Sequence, residues 1–194
     1  MNVLECLTKG NLQWVISMSQ AQGDVDSKRD LKIQELVDQL ASNDPGERLK
    51  ARSELIALGE AAVDQIVEAF GSDRQQLRWE AANCLRKIGS PQAIPALIVE
   101  IEEADADVGW LAAEGLVAIG EKSLIPVLAS LTSTHHKEIG QYYQNARHII
   151  RTFACNEKYH LILQQLLLAF DKSEPQIGVP RAAFEAMQQL ESNS

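Results

Sequence analysis

Apolar residues recur along this chain at offsets of three and four, and the recurrence itself recurs. Gly59, Gly89 and Gly120 serve as register marks. Ten residues before them stand Leu49, Trp79 and Trp110, and eight before stand Ala51, Ala81 and Ala112. Four before are Leu55, Leu85 and Leu116; one before are Leu58, Ile88 and Ile119. On a helix of 3.6 residues per turn the Ala, Leu and Leu/Ile positions form one stripe. A glycine that follows such a stripe suits the left-handed residue that ends a helix. A second helix is predicted after each glycine, with Val63, Ala93 and Leu124 aligned and Val67, Leu97 and Leu128 aligned. Ser123 is expected as an N-cap, with Pro126 at the third helical position, where a missing N–H costs little.

The predicted unit is therefore helix, tight turn, helix. Neither helix can bury its stripe alone, so each hairpin must stack on the next. Ala82 and Ala113, seven before their glycines, allow close approach between neighbouring helices; Arg52 breaks that rule and predicts a looser contact. The pattern decays outward. Leu36 and Leu40 match Leu97 and Ile101, Asp44 matches Asp105 in the connecting turn, and the segment around Trp14, Val15 and Met18 is expected as a first helix. Downstream, YYQNARHIIRTF and KYHLILQQLLLAF read as a larger, irregular pair, and residues 181–190 as a last amphipathic helix. Residues 21–29 and 171–180 lack the helical period and are predicted to be loops, the second because Pro175, Gly178 and Pro180 punctuate it. No strand pattern competes.

The expected fold is all-α: an α-solenoid of about five stacked helical hairpins in a right-handed superhelix. One domain spans 1–194, with an N-terminal capping unit over 1–45, three clear repeats over 46–134, a divergent repeat over 135–172 and a C-terminal capping helix over 173–194.

Charge and cysteines narrow the functional classes. A formal net charge of −9 without a basic stripe argues against nucleic acid as a partner. Cys6, Cys84 and Cys155 are scattered, which speaks against a disulfide framework or a zinc site. No apolar run is long enough to span a membrane, and the first residues lack a signal-peptide pattern. The chain is expected to be soluble and cytoplasmic.

The stretches LRWEAANCLRKIGSPQAIPALI and VGWLAAEGLVAIGEKSLIPVL resemble HEAT repeats, and more narrowly the short HEAT-like repeats of phycobilisome lyases. The resemblance covers residues 30–132. It implies a protein-binding solenoid. Its narrower form implies a subunit of an E/F-type phycobilin lyase or a phycobilisome assembly or degradation factor, the only reading under which a bilin is expected. Deoxyhypusine hydroxylase, another HEAT-repeat protein, holds its metals with His-Glu dipeptides, and this chain has none.

Candidate chemistry is sparse. No nucleophile elbow, phosphate loop or dinucleotide fingerprint is present, so neither catalytic nor metal-binding residues are assigned. His135 and His136, adjacent in HHKE, are read as a solvated loop. Arg147, His148, Arg151, Lys158 and His160 form the most basic neighbourhood and a candidate anion site. Trp79 and Trp110 project away from their own stripe, one repeat apart, with Arg78 placed to stack on Trp79; this is the candidate outer binding face. On the second helices, expected to line the concave side, Gln65, Glu68, Ile98, Val99, Glu102, Ser130 and Ser133 are the candidate contacts. The function expected from these features is a scaffold, adaptor or chaperone-like module without a catalytic centre. Its partner would be another protein, in a complex that can be hetero-oligomeric.

Overall fold

The computed structural model describes residues 25–103, 105–133 and 139–192. The segment around Trp14, the residue Cys6 and the HHKE stretch lie outside them. The first described helix, α1, covers residues 25–39. It is followed by α2 (Pro45–Leu58), α3 (Val63–Glu68), α4 (Gln75–Ile88), α5 (Ile94–Glu103), α6 (Ala106–Ile119) and α7 (Leu124–Leu131). Three longer helices complete the chain: α8 (Ile139–Ala154), α9 (Glu157–Phe170) and α10 (Pro175–Ser192). Among the described residues there is no strand.

The glycine register is realised in the backbone. Gly59, Gly89 and Gly120 follow α2, α4 and α6 with φ of 61°, 66° and 81°; only Gly89 takes the left-handed helical conformation (ψ 25°), whereas ψ of −133° and −148° puts Gly59 and Gly120 in a different positive-φ region that glycine alone adopts readily. The Gly89 amide closes its helix on the Leu85 carbonyl at 2.9 Å. A short 3₁₀ turn then leads into each second helix. Helix starts are equally local. Asp44 accepts from the Gly46 amide at 2.8 Å, with Pro45 at the first helical position, where no N–H is needed.

Ser123 does not cap α7 by accepting a bond. Its backbone is helical, and its hydroxyl donates instead to the Leu116 carbonyl at 2.6 Å and to Gly120 at 2.8 Å. A buried hydroxyl at this turn satisfies carbonyls that the end of α6 leaves open.

The stripe forms the core. Ala51, Leu55, Ala81, Leu85, Ala112 and Leu116 are fully buried, as are Ala82 and Ala113. The position before each glycine lies at the edge instead: Leu58 is 37 % exposed, and Ile88 and Ile119 are half-buried. Helices α4 and α6 approach closely. A Cβ on Gly115 would meet Leu97 Cδ1 at 3.1 Å and the Arg86 Cα at 3.7 Å. Each first helix packs on the next, α2 on α4, α4 on α6 and α6 on α8, while α10 turns back onto α7 and α9. This is an α-solenoid.

Two predicted loops are corrected. Residues 25–29 are helical in α1. In the second, α10 starts at Pro175 and continues through Pro180. Pro175 stands at the first position, where proline is harmless. Beyond it Val179, Ala183 and Ala186 are buried at helical spacing. That packing outweighs the hydrogen bond which Pro180 cannot make.

Candidate protein-interaction surface

One row of side chains crosses the first helices at the same position in three successive repeats. Leu49 on α2 is 55 % exposed, Trp79 on α4 is half-buried and Trp110 on α6 is 47 % exposed. The stripe beneath dictates this placement, since these residues sit two before the buried Ala51, Ala81 and Ala112 and so point roughly opposite to them.

Leu49 and Trp79 wall a groove of about 580 Å³ between α2 and α4, completed by Pro45, Arg48, Arg52, Gln75, Gln76, Glu80 and Asp107. Its floor is charged. Glu80, only 3 % exposed, receives Arg52 Nη1 at 2.8 Å, Arg48 Nε at 3.3 Å and Gln76 Nε2 at 3.3 Å. Arg52, the residue that breaks the small-residue rule, therefore reaches across to the next repeat and pairs with its glutamate. The groove thus offers an indole and a leucine above an ion-paired base.

Trp110 is not bare on all sides. The His148 ring lies against it with centroids 4.4 Å apart, tilted by 38°. His148 Nε2 also meets Glu114 Oε1 at 2.7 Å. Trp110 and Glu114 are one turn apart on α6, so His148 of α8 fastens to both.

The Arg78 guanidinium is engaged by hydrogen bonds. It donates to the Ser72 carbonyl at 2.6 Å and to Asp105 Oδ2 at 2.5 Å. Arg48 makes the matching bond one repeat earlier, to the Ser42 carbonyl at 2.8 Å. Both arginines thus brace the turn in front of their own helix. In the next repeat the equivalent residue is Gly109. A Cβ there would stand 2.8 Å from Asn145 Nδ2, so the α8 asparagine fills the space that an arginine stem occupies elsewhere.

The second-helix candidates are spread. Val99 is 51 % exposed; Glu68 and Ser133 are exposed, and Gln65, Ile98 and Glu102 half-buried. Ser130 is engaged at the contact between α7 and α8. Its hydroxyl donates to the Val127 carbonyl at 2.9 Å and meets the Tyr142 hydroxyl at 2.9 Å. Burial pushes the Tyr142 phenol well above its usual range.

The basic neighbourhood on α8 and α9 is distributed among carboxylates. Arg147 pairs with Asp171 at 2.7 Å, His148 with Glu114, and Lys158 with Glu121 at 3.4 Å. His160 Nδ1 meets the Ala154 carbonyl at 3.0 Å, and Arg151 is exposed in the last turn of α8. These five residues share two helices, and three of them pair with three different carboxylates. Cys84 is fully buried, and desolvation pushes its thiol up to about 12, as expected of an inert core residue.

The residues that sequence reasoning missed are Arg48, Gln75, Gln76, Glu80 and Asp107. Leu49 carried a signal, because it shares a register position with the two tryptophans. Glu80 carried none, since its arginine partners sit 28 and 32 residues away.

Fold and surface define the class: an α-solenoid of stacked helical hairpins that presents a row of large side chains across its first helices. Residues 33–99, about a third of the chain, match the family model for HEAT repeats. Comparisons with curated proteins and with solved structures give no match. Among the described residues no helix is long and apolar enough to cross a membrane.

Proposed function

We propose that this chain is a protein-binding scaffold without a catalytic centre, and that the row Leu49, Trp79 and Trp110 with its groove is the contact surface. The observation that carries this reading is a row of three large apolar side chains at one register position in three consecutive repeats, two of them exposed and Trp79 half-buried. An indole beside a charged, hydrogen-bonded floor supplies the apolar centre and polar surround of a binding hot spot. A partner segment laid across α2, α4 and α6 would meet all three side chains, because stacking puts equal positions next to one another.

The test is a Trp79→Ala, Trp110→Ala double variant. It is expected to keep its helical circular dichroism and to lose at least about tenfold in affinity for a captured partner, since hot-spot aromatics each account for about 2 kcal/mol or more. Unchanged capture refutes the outer-face assignment, and loss of capture on Ile98→Asp moves the contact to the second helices. The narrower reading from the resemblance, a phycobilin lyase subunit or phycobilisome assembly or degradation factor, rests on the repeat motifs of residues 77–98 and 108–128. Co-expression with a phycobiliprotein subunit and bilin separates it: a covalent adduct supports the lyase, and its absence with every subunit supports the scaffold.

A further inference from the structure

The first helices share a second register position. Seven residues beyond Leu49, Trp79 and Trp110 stand Ile56, Arg86 and Val117, all half-buried. Seven residues are two turns, so each lies on the same face as the row residue of its own helix. An arginine therefore stands on the middle helix where its neighbours carry β-branched apolar residues.

Arg86 is held in place but not paired. A Cβ on Gly115 would stand 3.7 Å from the Arg86 Cα, so α6 packs against the base of this side chain. Its Nε is buried and has no hydrogen-bond partner. Its polar contact is Nη2 to Asn83 Oδ1 at 3.4 Å, and Asn83 Nδ2 in turn donates to the Trp79 carbonyl at 3.3 Å. The other arginines of these helices have carboxylates: Arg48 and Arg52 share Glu80, and Arg78 holds Asp105. Carboxylates on the neighbouring elements are engaged elsewhere, Glu114 with His148 and Glu60 with Ser90. Lys87, the next residue, is exposed and adds a second positive charge.

A half-buried cation without a counter-ion has lost part of its hydration and received little in return. An orphaned donor of this kind calls for an acceptor that the free chain does not supply.

We propose that Arg86 receives a carboxylate of the bound partner, so that the contact surface recognises an acidic side chain about 10 Å from the apolar anchor on Trp79. This rests on reading the row as the contact surface. Two turns of α4 set the spacing, and the guanidinium Nη groups supply charge-assisted hydrogen bonds. The complementarity is local. A body of net charge −9 repels acidic segments at large, so an unpaired cation fixes where one can settle. Asp107, the carboxylate on the groove wall, stands ten register positions from Arg86, about 15 Å along the helix direction, toward the other end of the row.

The probe is a random peptide library displayed on phage and selected on the full chain. Selected peptides are expected to combine a large apolar residue with Asp or Glu. Changing that acid to its amide should weaken the best peptide by about tenfold or more. Arg86→Met keeps the packed stem and should bind the acid and amide peptides alike, while Arg86→Lys should keep part of the preference. Its thermal midpoint should be unchanged or raised in Arg86→Met, since no native ion pair is lost. Selection of basic peptides, no enrichment, or an acid preference undiminished in Arg86→Met overturns the proposal. So does a midpoint lowered by more than about 4 °C in Arg86→Met, which would assign the arginine to the fold. The Trp79→Ala, Trp110→Ala variant should lose acid and amide peptides together. If it binds both as the parent does, the row fails; if Arg86→Met alone is without effect, the carboxylate site fails.

Discussion

Removing the charge of Glu80 tests whether the contact between the first two first-helices rests on an ion pair or on packing. Glu80→Gln keeps the shape of the side chain and leaves Arg48 and Arg52 facing an uncharged amide. Breaking a buried ion pair by deleting one partner costs about 3–5 kcal/mol. The Glu80 side chain is 4 % exposed, but the arginine side chains are 20 % and 27 % exposed and can turn toward water. The expected cost is thus at the lower end, about 3 kcal/mol. For a chain of this size that corresponds to a fall in thermal midpoint of about 6–12 °C by calorimetry. The lesion should also be local. In a solenoid each unit is stabilised by its neighbours, so hydrogen exchange should accelerate across α1, α2 and α3 and remain slow across α8 and α9. Replacing Arg52 by Ala and Glu80 by Leu together gives this interface the residues found at Ala113 and Leu111, and should recover most of the loss. A Glu80→Gln midpoint within about 2 °C of the parent, or exchange that rises evenly along the chain, refutes the argument.

Three further outcomes follow from burial. Ala112→Leu inserts three carbons where α6 is fully buried and should destabilise by about 1–3 kcal/mol, read as a lower urea midpoint; an unchanged midpoint would show the stripe to be misplaced. At pH 8 a maleimide should label the exposed Cys155 and spare Cys84 until urea is added, as peptide mapping will show. The Cys84 pKa rises from 9.0 to about 12 on folding, so the neutral thiol is favoured in the folded state. Its contribution is fully present below pH 9 and is lost as pH rises to about 12, and Cys84→Ala should flatten that alkaline arm of the stability curve.

What the sequence revealed and what it hid divide along a physical line. The glycines were legible because a residue with positive φ leaves a local mark, and the Ala and Leu stripe because a helix repeats every 3.6 residues. Both are properties of one helix and its turn. The helical start of α10 was hidden by local signals of the opposite sense. Pro175, Gly178 and Pro180 spell a loop until it is known that Val179, Ala183 and Ala186 have a surface to bury against. Glu80 was hidden for a related reason. Its arginines lie one repeat earlier, and only the phase in which α2 stacks on α4 brings them together. Even the repeated brace, Arg48 to Ser42 and Arg78 to Ser72, stood in the sequence at a six-residue spacing, yet it resembles surface charge until the turn is folded. The candidate surface combines the two kinds of information. Its row was readable because Leu49, Trp79 and Trp110 share a register position, whereas its floor was not, because Glu80 belongs to the contact between units. A binding surface on a stacked protein is made at the joints, so the residues that shape it are those whose partners lie about one repeat away.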